Sequence, residues 1–220
     1  MRIADLRRFN LDTLIVLKGV LSLLKDPTHT ESVYDIEDGM KHSEAMAVAT
    51  KHMLAEPGVM ALAQEKYLAP IPNIQQLLQC PAGSLGHAYA TYISTSGFDP
   101  AFYRSMSIDD DTSYLLLRLR QTHDIWHVVT GFSTDVSGEL GLKAFELAQT
   151  RRTMAGILMA GGFLKCLLQT PAELDTLLDR IARGYRMGTH AKSLLAQKWE
   201  QNWDKSLAEW RSELGLAANS

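Results

Sequence analysis

The 220-residue sequence predicts an all-α fold, a single-domain helical bundle, and three observations carry that expectation. Apolar residues recur at helical spacing in one segment after another. Capping Ser and Asp residues, stop glycines and prolines fall between those segments. β-branched residues are sparse and never alternate for long with polar ones, so strand signals are weak throughout. With 46% hydrophobic and 21% charged residues, positions 1–220 have enough apolar surface to bury one continuous core.

Leu11, Leu14, Ile15, Val20, Leu21 and Leu24 recur as on an amphipathic first helix ending near Lys25-Asp26-Pro27. Arg2, Arg7 and Arg8 precede this apolar stretch, but Lys18 interrupts it and no small-residue cleavage site follows, unlike a signal peptide. A second helix is expected over Asp35–Leu54, closed by Glu56-Pro57-Gly58, and a short one over Val59–Leu68 before the rigid Pro70-Ile71-Pro72 turn. Pro81-Ala82-Gly83 opens another, running through Tyr89 and Tyr92 to Ser96, where Gly97 stops it. Asp109-Asp110-Asp111 suits a helix N-terminus, where negative charge meets the positive end of the dipole, and that helix should reach Thr130 with Gly131 as its stop. Ser133, Thr134 and Asp135 offer caps for the next helix, which continues past Gln149. Met154–Leu168, Pro171–Ala191 and Leu195–Leu214 complete the helical reading. Met154–Leu168 is too short to span a bilayer and contains Lys165.

Composition excludes several function classes. The formal charge is −3 and no dense Lys/Arg run is present, which argues against a nucleic-acid partner. Cys80 and Cys166 stand far apart, so neither a disulfide framework nor a thiolate zinc site is available, as in a reducing compartment.

Chemistry concentrates on His123, Asp124 and His127. On a helix turning about 100° per residue, with His123 at zero, His127 falls near about 40° and Asp124 near about 100°, one shared arc. Histidines at i and i+4 stack one turn apart and can converge on one ion. Glu139 lies past the Gly131 turn, in the first turn of the following helix, and an antiparallel helix pair returns it over the histidines. Two imidazoles with one or two carboxylates form a zinc-type or non-haem-iron-type ligand set. The apolar residues Leu115, Leu116, Leu117, Ile125, Trp126, Val128 and Val129 surround this arc, and buried ionisable groups need partners or a metal. Arg120, one turn earlier, could fork onto an anion held at the metal or form a salt bridge to Glu139 or Glu146. Glu146 shares the face of Glu139, either as support for a histidine or as a solvated charge.

The pattern His123-Asp124-Ile125-Trp126-His127, eleven residues, then Glu139 within Ser137-Gly138-Glu139-Leu140-Gly141-Leu142-Lys143-Ala144-Phe145-Glu146 resembles the family of the fourth protein of coenzyme Q (ubiquinone) biosynthesis. Phe98-Asp99-Pro100, Arg118-x-Arg120 and Trp199-Glu200-x-x-Trp203-Asp204 extend the resemblance, which is firm from about Pro81 onward. It departs at Thr150-Arg151-Arg152-Thr153-Met154, where family members usually carry a proline; the helix break there is therefore open. The chain begins directly in the matching region, so the resemblance is to a bacterial-type member.

The resemblance implies an all-helical protein binding zinc, or alternatively iron or another divalent metal, through His123, Asp124, His127 and Glu139. It implies a prenylated quinone precursor or isoprenoid lipid as partner, together with other quinone-biosynthesis proteins, and oxidative decarboxylation of the ring head group. A cytoplasmic protein peripheral to the inner membrane is expected. The alternative is an isoprenoid-binding scaffold with a structural zinc and no turnover. A helical metal phosphohydrolase ranks below both, with His87 and Asp175 or Asp179 as the only further candidate residues.

Two apolar features stand apart from this site. Trp199, Trp203, Leu207, Trp210 and Leu214 repeat at three or four residues; core packing is the preferred reading, and a docking face for a second copy (a homodimer) or another partner is the alternative. Gly156–Leu164 is small and apolar, suited either to helix packing or to a groove for an isoprenoid tail.

Overall fold

A computed structural model describes residues 30–103 and 106–216. The expected first helix over residues 11–24, with Arg2, Arg7 and Arg8, lies outside the described residues. The fold is all-α, and the described residues contain no β-strand, only an isolated bridge between Ser84 and Ser206. The helices are α1 (Thr30–Met40), α2 (Glu44–Leu54), α3 (Pro57–Glu65), the single turn α4 (Ile74–Leu77), α5 (Leu85–Ser96), α6 (Asp111–Thr130), α7 (Val136–Thr150), α8 (Thr153–Gln169), α9 (Leu174–His190) and α10 (Leu207–Glu213).

Local chemistry sets most of these boundaries. Asp110 accepts from the Ser113 N–H at 2.7 Å, and the Ser113 hydroxyl reciprocates to the Asp110 N–H, a capping box opening α6. Gly131, at φ +77°, closes α6 in the left-handed region that costs glycine nothing. The segment expected as one helix over Asp35–Leu54 is instead two. Ser43 accepts from the Met46 N–H at 3.1 Å and restarts the chain as α2. The break between α7 and α8 forms without a proline: Arg151 takes φ +58° and its N–H bonds the Leu147 carbonyl.

Leu195–Leu214 departs from expectation. It is a strap containing a 3₁₀ turn at Trp199–Gln201 and only the short α10. Its Trp203 and Lys205 carbonyls accept from the N–H groups of Gly86 and Leu85 at the start of α5. Trp199, Trp210 and Leu214 are buried there, so this stripe is core, packed on Leu115, Leu116, Trp126 and Phe145 among others.

The most extensive helix pairing is α7 against α9, where Gly184 passes directly over the Gly141 carbonyl. By contrast, only Met154, Ala155 and Cys166 of the apolar α8 are buried, and Leu164, Leu167 and Leu168 are exposed. Among the described residues no helix is long and apolar enough to cross a membrane.

Candidate metal centre

The centre sits where α6 turns back into α7. The caps that shape this turn also aim its side chains. Asp135 accepts from the Ser137 hydroxyl at 2.7 Å and the Gly138 N–H at 2.9 Å, fixing the first turn of α7 and so the position of Glu139. The Ser133 hydroxyl, which also donates to Asp135, and then Ser137 and Gly138 hold its carboxyl down to about 2.

His123, His127 and Glu139 converge, with their donor atoms all within 4.8 Å of one another. The two Nε2 atoms stand 3.3 Å apart. Glu139 reaches across both, Oε1 at 3.1 Å from His127 Nε2 and Oε2 at 3.7 Å from His123 Nε2. His127 is fully buried, whereas His123 and Glu139 are about one-third exposed (32% and 36%), so one flank of the group opens to solvent.

The turn itself selects the tautomer of His127. Its Nδ1 lies 3.0 Å from the Phe132 carbonyl oxygen, which can only accept, so Nδ1 carries the hydrogen. In the neutral ring, Nε2 then presents its lone pair to His123 and Glu139. Without a cation, this meeting of lone pairs is satisfied by a proton. Burial pulls the His127 pKa down, but the hydrogen bond and charge of Glu139 outweigh it and the net shift is upward. Burial likewise raises Glu139, and the two histidines more than reverse it, holding the carboxyl well below its usual range.

The donor set fits a divalent metal. Ligands about 2.0–2.1 Å from a tetrahedral ion stand about 3.3–3.4 Å apart, and the two imidazole nitrogens already have that spacing. The Phe132 carbonyl supplies the outer hydrogen bond that orients ligating histidines.

Asp124 is half-buried on the same helix but is not one of the three convergent donors. Its charge bears on Tyr89, Tyr92 and His127. Arg120 reaches Glu37 through Nε at 2.5 Å, with Asp38 at 3.4 Å and the Tyr34 ring beneath it at 4.5 Å; the salt bridge it makes is to α1 rather than to Glu139 or Glu146. Glu146 is buried rather than solvated. It accepts from Lys143 and Arg152, each at 2.7 Å, and Arg152 also pairs with Glu37. His87, Asp175 and Asp179 do not join the convergent group. Arg118 grips Glu200 through two bonds of 2.5 and 2.9 Å, tying α6 to the strap.

Sequence reasoning missed Tyr92 as a site residue. Its ring stacks on His127, with centroids 5.9 Å apart and planes 20° apart, and Phe98 meets its other side edge-on at 6.0 Å. Burial first, then the charges of Asp124 and Glu139, push its hydroxyl pKa up. The i, i+3 pair Tyr89 and Tyr92 was the available signal, but nothing local says which neighbour their face meets.

Residues 6–220 match the family model described as coenzyme Q (ubiquinone) biosynthesis protein Coq4. A protein of Aspergillus fumigatus named ubiquinone biosynthesis protein coq4, mitochondrial, is 36% identical over 147 residues, which cover 66% of this chain and 50% of that protein. A Talaromyces stipitatus protein of the same name is 32% identical over 149 residues, covering the same shares. The chain thus spans about half the length of the curated relatives it matches. A crystal structure of a candidate ubiquinone biosynthesis protein from Nostoc punctiforme PCC 73102 superposes with a TM-score of 0.86 at 36% identity, covering 94% of this chain and 97% of that one.

Proposed function

From the premise that this chain belongs to the Coq4 family of coenzyme Q (ubiquinone) biosynthesis proteins, we propose that it binds a prenylated quinone precursor beside a divalent metal. The ion is held by His123, His127 and Glu139, with Asp124 the further carboxylate at its flank. Zinc is the proposed metal and iron its competitor, because two histidines and one carboxylate with open positions serve both. Bound there, the metal supplies Lewis acidity toward ring oxygens or a ring carboxylate.

The observation that carries this reading is the His127 tautomer. A buried imidazole whose Nδ1 hydrogen is committed to a backbone carbonyl aims its Nε2 lone pair at a second imidazole and a carboxylate. The remaining parts of the site follow from the chain's own residues. His127 and Phe132 orient the ion's buried side, Glu139 balances its charge, and the exposed flank of His123 and Glu139 admits the head group. The exposed leucines of α8 offer an apolar surface for an isoprenoid tail or a membrane face, and Gly156 and Gly161 of the same helix meet open space. The proposed reaction is a two-electron oxidative decarboxylation: the ring carboxylate leaves as carbon dioxide, water supplies the hydroxyl at the vacated carbon, and dioxygen from solution takes up the two electrons and two protons to become hydrogen peroxide, so zinc itself changes no oxidation state.

Elemental analysis of the purified protein tests the centre and separates zinc from iron. About one metal per chain is expected, with loss of most of it in His127→Ala. Metal-free wild type, or full metal content in His127→Ala, would overturn the assignment. The uncovered face of α8 favours one second reading, a lipid-binding scaffold without turnover. That reading predicts a co-purified isoprenoid and no product from a prenylated hydroxybenzoate under any metal loading.

A further inference from the structure

The hydroxyl of Tyr92 is buried and meets no hydrogen-bond partner among the described residues, although its ring stacks on His127 of the candidate centre. Buried polar groups are almost always paired, and an exception asks for a reason. The ring cannot swing to find a partner, because His127 stacks on one face and Phe98 meets it edge-on. Asp124 and Glu139 lie within electrostatic reach, yet neither accepts its hydrogen; Glu139 is turned onto the two histidines instead. A phenol is protonated at neutral pH, so Tyr92 presents an unused donor on a ring stacked against one proposed ligand and within electrostatic reach of Glu139 and Asp124.

We infer that the Tyr92 hydroxyl binds an anionic oxygen, the carboxylate or phenolate of an aromatic ligand, seated at the His123–His127–Glu139 centre. This rests on the metal-centre reading above. An anionic acceptor suits the position because a charged hydrogen bond is the stronger kind, and a cation beside it would keep the acceptor ionised. Tyr92 then acts as a specificity residue, since its donor rewards an oxygen and gives nothing to a hydrocarbon.

The test uses the purified chain loaded with Co(II), whose visible spectrum reports both metal binding and ligand entry, with benzoate as the probe. In Tyr92→Phe, Co(II) affinity should stay within about twofold of wild type while benzoate affinity falls at least about tenfold, as for a lost hydrogen bond to a charged group. Thermal unfolding of the metal-free proteins gives an independent readout. Removing an unpaired hydroxyl should leave the midpoint of Tyr92→Phe equal to or above wild type, whereas a drop of several degrees would show that the hydroxyl supports the fold and would overturn the inference. Equal benzoate affinity in the two proteins, or no benzoate binding by Co(II)-loaded wild type, overturns the role of Tyr92 and leaves the metal centre standing. A fall in Co(II) affinity that fully accounts for weaker benzoate binding also overturns it, making Tyr92 a support for the ligands. Failure of wild type itself to bind Co(II) removes the metal centre and this inference together.

Discussion

Arg152 offers the sharpest test of how the site is held, because it is shared by Glu146 beside the centre and Glu37 on α1. Replacing it with Met keeps the length and apolar stem of the side chain but removes the charge. Breaking a buried ion pair by deleting one partner costs about 3–5 kcal/mol, since the other charge stays buried. Both carboxylates here keep a second cation, Lys143 on Glu146 and Arg120 on Glu37, which places the expected loss at the low end, about 3 kcal/mol. At about 2–4 °C per kcal/mol for a chain of this size, the unfolding midpoint should fall by about 6–12 °C at pH 7.

The pH dependence has a defined sign. Burial would raise the Glu146 carboxyl, but Lys143 and Arg152 outweigh it and hold it down to about 2. A depressed carboxyl contributes stability above its unfolded pKa of about 4.3, and that contribution is lost as pH falls through about 2. Arg152→Met gives up part of that contribution, so the gap between variant and wild type is widest at neutral pH and narrows below about pH 4. Calorimetry from pH 7 to pH 3 measures both quantities, and Arg152→Met/Glu146→Gln should recover part of the loss. A variant within about 1 kcal/mol of wild type at pH 7, or a gap that widens on acidification, would refute the reasoning.

Two further substitutions probe the frame around the site. A Cβ at Gly184 would collide with the Gly141 carbonyl, so Gly184→Ala should prise α7 from α9 at a cost of about 2–3 kcal/mol, while Gly161→Ala, facing open space, should stabilise by about 0.5–1 kcal/mol; equal urea midpoints for the two would contradict the packing described. Arg151→Gly relieves a left-handed residue at φ +58° and should stabilise by about 0.5–1 kcal/mol, the gain from strain exceeding the entropy glycine adds to the unfolded chain; a lower midpoint would mean that the arginine side chain matters more than its backbone.

The α6–Gly131–α7 hairpin was legible because every signal that shapes it is local. Asp110, Gly131 and Asp135 act on neighbours three or four residues away and set the turn that brings Glu139 to the histidines, while the packing of α7 comes from α9. The strap over residues 195–214 was not legible for the opposite reason. Trp and Leu at intervals of three and four look the same on a helix and on an irregular segment pressed into a core. What decides is that Leu85 and Gly86 take up the strap's backbone groups, and Gln149 those of Leu194 just before it, partners that lie far away in sequence. Arg120 repeats the point, since its carboxylates stand on α1, more than eighty positions upstream.

The helical arithmetic that brought His123, Asp124 and His127 onto one arc also contained their separation. Residues at i and i+4 stack within about 40°, whereas i+1 projects about 100° away. The structure resolves the arc accordingly: the stacked pair closes on Glu139, while the influence of Asp124 falls on Tyr89 and Tyr92 of α5. The two sides of α6 thus divide the work. On one side the nitrogens of His123 and His127 meet the Glu139 carboxylate of α7. On the other, the Asp124 charge faces a buried phenol that has a hydrogen to give and no acceptor among the described residues. On the proposed reading, an anionic oxygen seated at the centre would meet the Tyr92 donor, which links the unpaired Tyr92 hydroxyl to the paired Nδ1 of His127.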